Sequence, residues 1–223
     1  MTSDTSRSPS AGTGADRTSG GEASRAESTR ARLVQAAVEA FAAKGFHGTT
    51  TRDIAAAAGM SPAALYVHHR SKEELLHQIS RAGHQDTLDL VLEAIASSPD
   101  PVEQLRRLMH EFAAHHAAGH TAARVVNYEL AALSPEHLEE IMALRHRIDA
   151  EVQGLVEAGV EAGAFDAPDP RIASAALLSL GIDIARWYDD RAGWTPQLVS
   201  EEYSRLALRI VGADPARGEG PQP

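Results

Sequence analysis

The chain has 223 residues, of which 43% are hydrophobic, and this is enough to bury the core of one large or two small domains. It contains no cysteine, which excludes disulfides, thiolate catalysis, iron–sulfur clusters and cysteine-ligated zinc. No apolar run approaches the roughly 20 residues that span a bilayer, and the N-terminus lacks the hydrophobic core of a signal peptide. We therefore predict a cytoplasmic protein without a membrane partner.

Charge is distributed unevenly along the chain. The whole chain carries −10, but residues 25–81 hold eight cations against five anions and carry +3, while residues 82–223 carry −12. Charges attract phosphates only within about a Debye length, roughly 8 Å at physiological salt, so an acidic remainder does not prevent the basic segment from binding DNA. The pattern predicts a small DNA-facing head on an acidic body.

The N-terminal segment differs in composition from the rest of the chain. Residues 1–24 are rich in Ser, Thr, Gly and Ala and show no apolar periodicity, so we predict a disordered tail there, and a second flexible tail at 214–223. Beyond the first tail, apolar residues recur at helical spacing, as Val34, Val38 and Phe41 do. No strand-like alternation competes with this pattern.

Several helix starts are marked by a capping side chain followed by proline, which loses no intrahelical hydrogen bond at the first helical position. These pairs are Ser61-Pro62, Asp100-Pro101, Ser134-Pro135, Asp169-Pro170 and Thr195-Pro196. A capping box at Ser71 marks a further start. The sequence predicts an all-α fold of about nine helices, at 27–44, 51–58, 62–68, 72–97, 101–118, 121–133, 135–163, 170–191 and 196–212.

Two of the predicted helices are short and nearly adjacent. Gly59 permits a tight left-handed turn after the first, and Ser61-Pro62 starts the second almost at once. The spacing is that of a helix-turn-helix, in which the second helix lies in the major groove and the first crosses the phosphate backbone. Spacing alone leaves open a tight helical corner that never touches DNA.

Residues 30–80 resemble the DNA-binding head of the TetR/AcrR family of transcriptional regulators over a dozen or more positions. The resemblance is carried by Ala36-Ala37, Phe41, Gly45-Phe46, Thr49-Thr50, Asp53-Ile54-Ala55, Ala58-Gly59-Met60-Ser61, Leu65-Tyr66, His68 and the run from Ser71 to Leu76. One departure is His69, where the family usually has phenylalanine. The resemblance implies a three-helix DNA-binding domain at 25–71 and a helical effector-binding and dimerisation domain at 72–213.

Candidate DNA contacts follow from the resemblance and from side-chain chemistry. Thr50, Thr51 and Arg52 stand at a helix N-terminus and suit phosphate contacts. In such regulators the residues matching Tyr66 and His68 typically touch the phosphate backbone, and Lys72 is expected to do the same. The groove edge is expected to be formed by small residues that suit base edges and thymine methyls. They are Ser61, Pro62, Ala63 and Ala64.

The last two predicted helices share a face of small and apolar residues. The helix at 170–191 contains an Ala-Ser-Ala-Ala run followed by Ser179 and Gly181, and the helix at 196–212 contributes Leu198, Tyr203, Leu206 and Ile210. Two copies of such a face would form a four-helix interface, so we predict a homodimer. The alternative is that the face packs against its own body.

The segments between 101 and 191 predict a largely apolar effector pocket with a few polar groups. Its candidate residues are Met109, Phe112, Asn127, Tyr128, Leu144, Ile148, Arg186 and Trp187. The Arg186-Trp187-Tyr188 run and the turn before Pro196 are similar to a pattern in TetR-like regulators of fatty-acid and steroid catabolism, whose effectors are acyl-CoA thioesters. The resemblance thus implies a small effector, with acyl-CoA as the candidate class, and no cofactor or enzymatic activity.

Two other classes of protein compete with this interpretation. His110, His115, His116 and His120 cluster, and the last two have a spacing able to chelate one ion, so a helical metal sensor is one rival. A helical interaction module that does not bind DNA is the other. The favoured hypothesis is a homodimeric repressor that an effector releases from a palindromic DNA operator, with a transcriptional activator of the same fold as the variant.

Overall fold

A computed structural model describes residues 16–213, with side chains from residue 25 onward. Within this span the chain forms nine α-helices and no strand, which confirms the predicted all-α fold. The helices are α1 (Asp16–Gly48), α2 (Thr51–Ala57), α3 (Pro62–His68), α4 (Lys72–Ala96), α5 (Pro101–Ala118), α6 (His120–Tyr128), α7 (Pro135–Glu161), α8 (Pro170–Trp187) and α9 (Pro196–Ile210). None of the helices in the described span is long and apolar enough to cross a membrane.

Local chemistry explains where most helices begin. Helices α3, α5, α7, α8 and α9 each have proline in the first turn, and the preceding Ser, Asp or Thr side chain accepts a hydrogen bond from a backbone N–H of that turn. Thr50 and Ser71 cap α2 and α4 in the same way. These seven starts coincide with the predicted positions.

Helix α1 begins earlier than predicted. Its first residue is Asp16 rather than residue 27, so the backbone of residues 16–24 is helical where a disordered tail was predicted. Gly20 and Gly21 in this segment are poor helix formers, so its helical backbone continues the helix that the buried Leu33 anchors and does not follow from local propensity. Residues 1–15 and the predicted tail at 214–223 lie outside the described residues.

Most helices end within two residues of the predicted position, but α6 and α8 end clearly earlier. Helix α6 ends at Tyr128 rather than 133, and a separate 3₁₀ turn follows at Leu130–Ala132. Between them, the Glu129 carboxylate accepts a hydrogen bond from the Phe46 N–H of α1 at 3.3 Å. Helix α8 ends at Trp187 rather than 191, because the buried Tyr188 is extended and donates its hydroxyl to the Trp194 carbonyl at 3.0 Å.

Two large hydrophobic clusters, with a smaller one between α5, α8 and α9, organise the packing of the described residues. One lies within the body and joins residues of α4, α5, α7, α8 and α9. The other begins in the head, with Phe41, Ile54 and Leu65 of α1, α2 and α3, and continues into α4, α6 and α7. The head and the helices beneath it therefore share one core. Because this core is closely packed, a shift of α4 or α6 would also displace α2 and α3.

Candidate nucleic-acid interface and effector cavity

The α2–α3 corner has the geometry of a helix-turn-helix. Gly59 has φ of 69°, a left-handed conformation, and the Met60 N–H donates to the Ala55 carbonyl at 2.8 Å to close the turn. At the other end of α2, Thr50 and Asp53 form a reciprocal capping box. Hydrogen bonds from the Thr50 hydroxyl and N–H lower the pKa of the Asp53 carboxyl, so it is ionised at neutral pH.

Most predicted DNA contacts lie on an open surface formed by the start of α2 and by α3. The Thr51 and Tyr66 hydroxyls are 3.1 Å apart, and this hydrogen bond joins the two helices at the surface. Thr50, Arg52, Ser61, Pro62, Ala63 and Tyr66 are exposed, and Thr51, Ala64 and His68 are half-buried. We call these nine residues the recognition surface.

Val67 of α3 and His69, which directly follows α3, differ from the other residues in how the sequence represents them. Val67 is 79% exposed and lies one turn after Ala63, yet it was not among the predicted contacts. Its helical spacing from Ala63 was the signal available. His69 is buried, as a phenylalanine would be, and neither ring nitrogen has a hydrogen-bond partner among the described residues. Burial lowers the pKa of His69, so the ring is neutral and packs as an aromatic side chain.

Lys72 lies in a different environment from the other predicted contacts. Its Nζ donates to the carbonyls of Phe46 and Thr49, both at 2.8 Å, and sits 4.2 Å from the centre of the Phe46 ring. The ammonium therefore ties the start of α4 to the α1–α2 connection. Lys72 was predicted to contact DNA phosphate, and the structure places two of its three donors on the head's own backbone, which leaves one for such a contact.

The body encloses a small central cavity between α4, α5, α6, α7 and α8. Its volume is about 30 Å³, room for about one water molecule. Of the predicted pocket residues, Phe112, Asn127 and Ile148 line it. Phe112 packs closely on α8, where a Cβ added to Gly181 would lie 2.4 Å from the Phe112 ring.

The other predicted pocket residues lie elsewhere. Met109 is buried in the body core, and Leu144 packs against the same cluster. Tyr128 and Trp187 line a surface cleft of about 540 Å³ beside α8, which we call the outer cleft. Arg186 and Tyr128 line another cleft, of about 450 Å³, between α1 and α6. The eight residues therefore do not form one pocket, because residues on different faces of the same helix point towards the core or towards the surface.

Polar groups meet in the central cavity without forming an ion pair. Arg145 Nη1 lies 3.2 Å from His84 Nε2 and 3.3 Å from Asn127 Oδ1. His84 Nδ1 donates to the Ser80 carbonyl at 2.7 Å, which leaves Nε2 as an acceptor. Burial lowers the pKa of His84, and the charge of Arg145 acts in the same direction, so the ring is neutral. Burial likewise lowers the pKa of His116, to about 4.

The histidines of the rival metal site do not come together. His110 and His115 are exposed, whereas His116 is buried and stacks on Phe112 with ring centres 4.3 Å apart. Nδ1 of His116 bonds to the Phe112 carbonyl, and Nδ1 of His120 bonds to that of Ala117. In the part of the chain that the structure describes, no three His, Asp or Glu side chains are placed to hold one metal ion.

An apolar stripe runs along the outside of α8 and α9, and we call it the outer face. Ile172 of α8 is 69% exposed, and the connection to α9 carries Trp194, which is 53% exposed. Leu198, Leu206 and Ile210 of α9 are exposed as well, as expected for the predicted two-helix face. Gly181 is buried and Tyr203 is half-buried, so fewer residues of the predicted face are fully exposed than expected.

Comparison with known protein families gives two matches that together cover most of the chain. The family described as "Bacterial regulatory proteins, tetR family" matches residues 33–79. This span contains the second half of α1, all of α2 and α3, and the start of α4. The family described as "Tetracyclin repressor-like, C-terminal domain" matches residues 98–211. The boundary between the two matches falls within and just after α4.

Individual proteins are similar over nearly the whole chain. The transcriptional repressor KstR2 of Rhodococcus jostii is 31% identical over 196 residues, which cover 87% of this chain and 94% of the relative. A bacterial regulatory protein of the tetR family from Rhodococcus RHA1 has a crystal structure that superposes with a TM-score of 0.79 at 39% identity, covering 83% of this chain and 98% of that one. AibR, solved with isovaleryl coenzyme A and operator DNA, shares the fold with a TM-score of 0.75 at 22% identity, over 83% of this chain and 100% of that one.

Proposed function

Because this chain belongs to the TetR family and is a ligand-responsive, DNA-binding transcriptional repressor, we propose that it acts as a homodimer on a two-fold symmetric operator. A small apolar effector, with acyl-CoA thioesters as the first class to test, releases it from DNA. The observation that carries the DNA-binding part is the recognition surface, where hydroxyls, a cation and small side chains stand exposed on α2 and α3.

The recognition surface supports a division of roles between its residues. Thr51, in the first turn of α2, offers to phosphate a hydroxyl that it shares with Tyr66, and Arg52 adds a positive charge. The Thr50 hydroxyl and N–H already donate to Asp53 and instead fix the start of the helix. Ala63 and Val67 present methyl groups on the exposed side of α3, which suits the C5-methyl of thymine in the major groove. Phosphate contacts would set the register, and the α3 face would select the sequence.

The outer face supports the proposed dimer. Exposed Trp, Leu and Ile side chains on α8, on α9 and on their connection support a protein–protein contact, since large exposed apolar patches are rare on monomeric proteins. A two-fold axis through this face would join α8 and α9 of two protomers into four helices. The two copies of α3 would then contact half-sites about one helical turn apart, or a multiple of it.

The acyl-CoA assignment rests on similarity and on the shape of the body. AibR, which shares the fold, was solved with isovaleryl coenzyme A, and fold similarity alone does not transfer that ligand to this chain. The outer cleft, at about 540 Å³, lies within the range of small-molecule sites, whereas the central cavity in its present form does not. An effector would therefore occupy the outer cleft or widen the central cavity.

A gel-shift with the purified protein and the DNA upstream of its own gene tests this proposal. We expect a salt-sensitive complex that one member of an acyl-CoA panel abolishes. A complex that no acyl-CoA affects would overturn the effector assignment and leave the DNA-binding part standing. If no complex forms, and selection from random duplexes also recovers no operator, the DNA-binding part is wrong.

Arg52→Ala tests the recognition surface itself. If Arg52 contacts a phosphate, the variant binds all DNA sequences more weakly, and the slope of log affinity against log salt falls by about 1 per protomer. Arg147→Ala is the matched control, since Arg147 is an exposed arginine of α7 that belongs to the acidic body. An unchanged salt slope in Arg52→Ala would contradict the proposed phosphate contact.

A further inference from the structure

Arg145 is a permanently charged group without a counter-ion. Its only side-chain partners among the described residues are His84 and Asn127, both neutral acceptors. None of the ion pairs in this part of the chain includes Arg145, although Asp149, one turn along α7, also lines the central cavity. A half-buried guanidinium that is always protonated is costly to leave unpaired, and several of its five N–H donors remain available.

The guanidinium lies where two spaces meet. Arg145 and Ile182 line both the central cavity and the outer cleft, so they form the boundary between the interior and the surface. The rest of the outer cleft is largely apolar, with Leu180 and Trp187 among its walls. Its carboxylate, Asp183, is already engaged: one oxygen lies 3.3 Å from the Arg186 guanidinium. An apolar cleft that ends on an unpaired cation suits a ligand with an apolar body and an oxygen acceptor at one end.

We infer that Arg145 binds the acyl oxygen of the effector, with the apolar part of the ligand in the outer cleft. This inference rests on the proposed function and names the chemistry of its ligand. The oxygen belongs either to the carboxylate of a free acid or to the carbonyl of a thioester, because both accept hydrogen bonds from a guanidinium. A hydrocarbon of the same size without the acyl oxygen leaves the cation unpaired and binds weakly.

The same contact provides a route to the head. Arg145 belongs to α7, whereas its present partners belong to α4 and α6, so the guanidinium holds three helices together. A ligand oxygen that takes Nη1 competes with His84 for that donor. Helix α4 would lose a polar contact to α7 about three turns from its start at Lys72, where it carries the head. The ligand then favours a conformation in which α4 is free to tilt.

The test uses the full-length protein and three six-carbon probes: hexanoate, hexanoyl-CoA and 1-hexanol. Binding is followed by tryptophan fluorescence, because Trp187 lines the outer cleft, and is confirmed by calorimetry. We expect hexanoate, hexanoyl-CoA or both to bind at least tenfold more tightly than hexanol. Preference for the acid identifies a carboxylate effector, and preference for the CoA identifies a thioester; either outcome supports the inference.

Arg145→Met, which keeps most of the side-chain volume and removes the charge, is expected to weaken binding of the oxygen-bearing probe at least tenfold and to leave the weak binding of hexanol unchanged. Arg145→Lys should restore part of the affinity, and this separates loss of the charge from misfolding. Arg147→Met is the matched control, because Arg147 is an exposed arginine of the same helix. Equal affinities in wild type and Arg145→Met would overturn the inference, as would the failure of both oxygen-bearing probes to bind.

Operator binding without ligand is measured in parallel, by fluorescence anisotropy on the DNA recovered in the gel-shift. If the wild type binds DNA and responds to the probe, whereas Arg145→Met, which also lacks the contact to α4, binds DNA more weakly and no longer responds, both the proposed function and the inference stand. If the wild type fails to bind any DNA, the proposed function is wrong, and the ligand measurement still decides the role of Arg145.

Discussion

Lys72 contacts two residues of the head, Phe46 and Thr49, through one ammonium group. Two backbone carbonyls from the α1–α2 connection and one aromatic ring surround its Nζ. If Lys72 were replaced by an apolar residue, the two carbonyls would lose their donor, and an unsatisfied carbonyl costs more free energy than a hydrogen bond contributes. Lys72 therefore stabilises the head as well as carrying a charge. The other lysine of the chain, Lys44, is exposed and only loosely paired with Asp53 at 3.8 Å.

Lys72→Met is therefore expected to lower the free energy of unfolding by about 2 kcal/mol, from two lost charge-assisted hydrogen bonds and a lost cation–π contact. Denaturant unfolding measures this, and Lys44→Met, the control, should change stability by less than about 0.5 kcal/mol. DNA affinity should fall in Lys72→Met with little change in its salt dependence. A drop of about 1 in the salt slope would show that Lys72 contacts phosphate after all.

Two glycines inside helices differ in whether close packing requires them. One leaves no room for a side chain, and the other only lowers the helix propensity of its position. Gly181 of α8 faces Phe112 of α5 at a distance that leaves no room for a methyl group, whereas a Cβ on Gly154 of α7 would meet no atom within 4 Å. Both glycines lie within helices, where alanine is the better helix former. The same substitution should therefore have opposite effects at the two positions.

Gly181→Ala is expected to destabilise the protein by about 1–3 kcal/mol, because Phe112 must move into the central cavity or α8 must move away from α5. Gly154→Ala is expected to stabilise it by about 0.5–1 kcal/mol. Thermal or denaturant unfolding of both variants gives the comparison. Similar changes of the same sign in the two variants would mean that α8 and α5 are not packed as closely as the structure has them.

Helices α4 and α7 are joined near the head by two histidines and two glutamates. His137 lies 2.8 Å from Glu73 and His77 lies 2.7 Å from Glu140, and the two rings stack with centres 3.7 Å apart. The hydrogen bond to Glu73 raises the pKa of His137 above its ordinary 6.5, and the charges of Glu73, Glu136 and Glu140 act in the same direction. Although burial raises the pKa of Glu73, hydrogen bonds from Ser134 and His137 lower it overall.

This pairing predicts a pH dependence of stability. Since the folded-state pKa of His137 is raised, its stabilising contribution is complete below about pH 6.5 and is lost as pH rises through the folded-state value. Wild type should exceed His137→Gln in unfolding free energy at pH 6 by about 0.5–1 kcal/mol, and by less at pH 8. His146→Gln, at an exposed position of α7, serves as the control. A difference between wild type and His137→Gln that does not depend on pH would rule out an ionic role.

At the scale of the whole molecule, charge and apolar surface are separated. The basic segment forms the head, the acidic body carries the central cavity, the outer cleft and the outer face, and the shared core links them through α4, α6 and α7. To release nearly all of the protein from its operator, an effector must bind the conformation that does not bind DNA more tightly than the DNA-binding one, by about 5.5 kcal/mol. Contacts such as those of Arg145 with α4 and α6 are therefore one part of a larger rearrangement.

Leu206→Glu tests the role of the outer face in assembly. Leu206 of α9 is exposed, and a carboxylate there would be desolvated in the proposed dimer but hydrated in the monomer. Size-exclusion chromatography with light scattering should show the variant as a monomer with unchanged helical content and much weaker operator binding. Ala150→Glu, on the exposed side of α7, should remain dimeric. A wild type that is monomeric at micromolar concentration would contradict the proposed dimer.

Short-range signals in the sequence were sufficient to predict most of the helix starts, the α2–α3 corner and the family. Ser or Asp followed by Pro, Thr50 with Asp53, and Gly59 act over four residues or fewer, so their effect can be predicted without tertiary structure. Most of the recognition surface is exposed for the same reason, since the spacing of residues along short helices fixes which of them face outward.

The ends of helices α6 and α8, the use of Lys72 and the grouping of the pocket residues became clear only from the tertiary structure. These features depend on contacts between groups that are distant in the sequence or that lie across a turn. Examples are the hydrogen bonds of Glu129 with Phe46, of Tyr188 with Trp194, and of Arg145 with His84. Such a contact forms when two elements are already packed, and packing depends on the shapes of whole helix faces rather than on any single motif. The size of the central cavity is such a property, because it is what remains after five helices have closed around it.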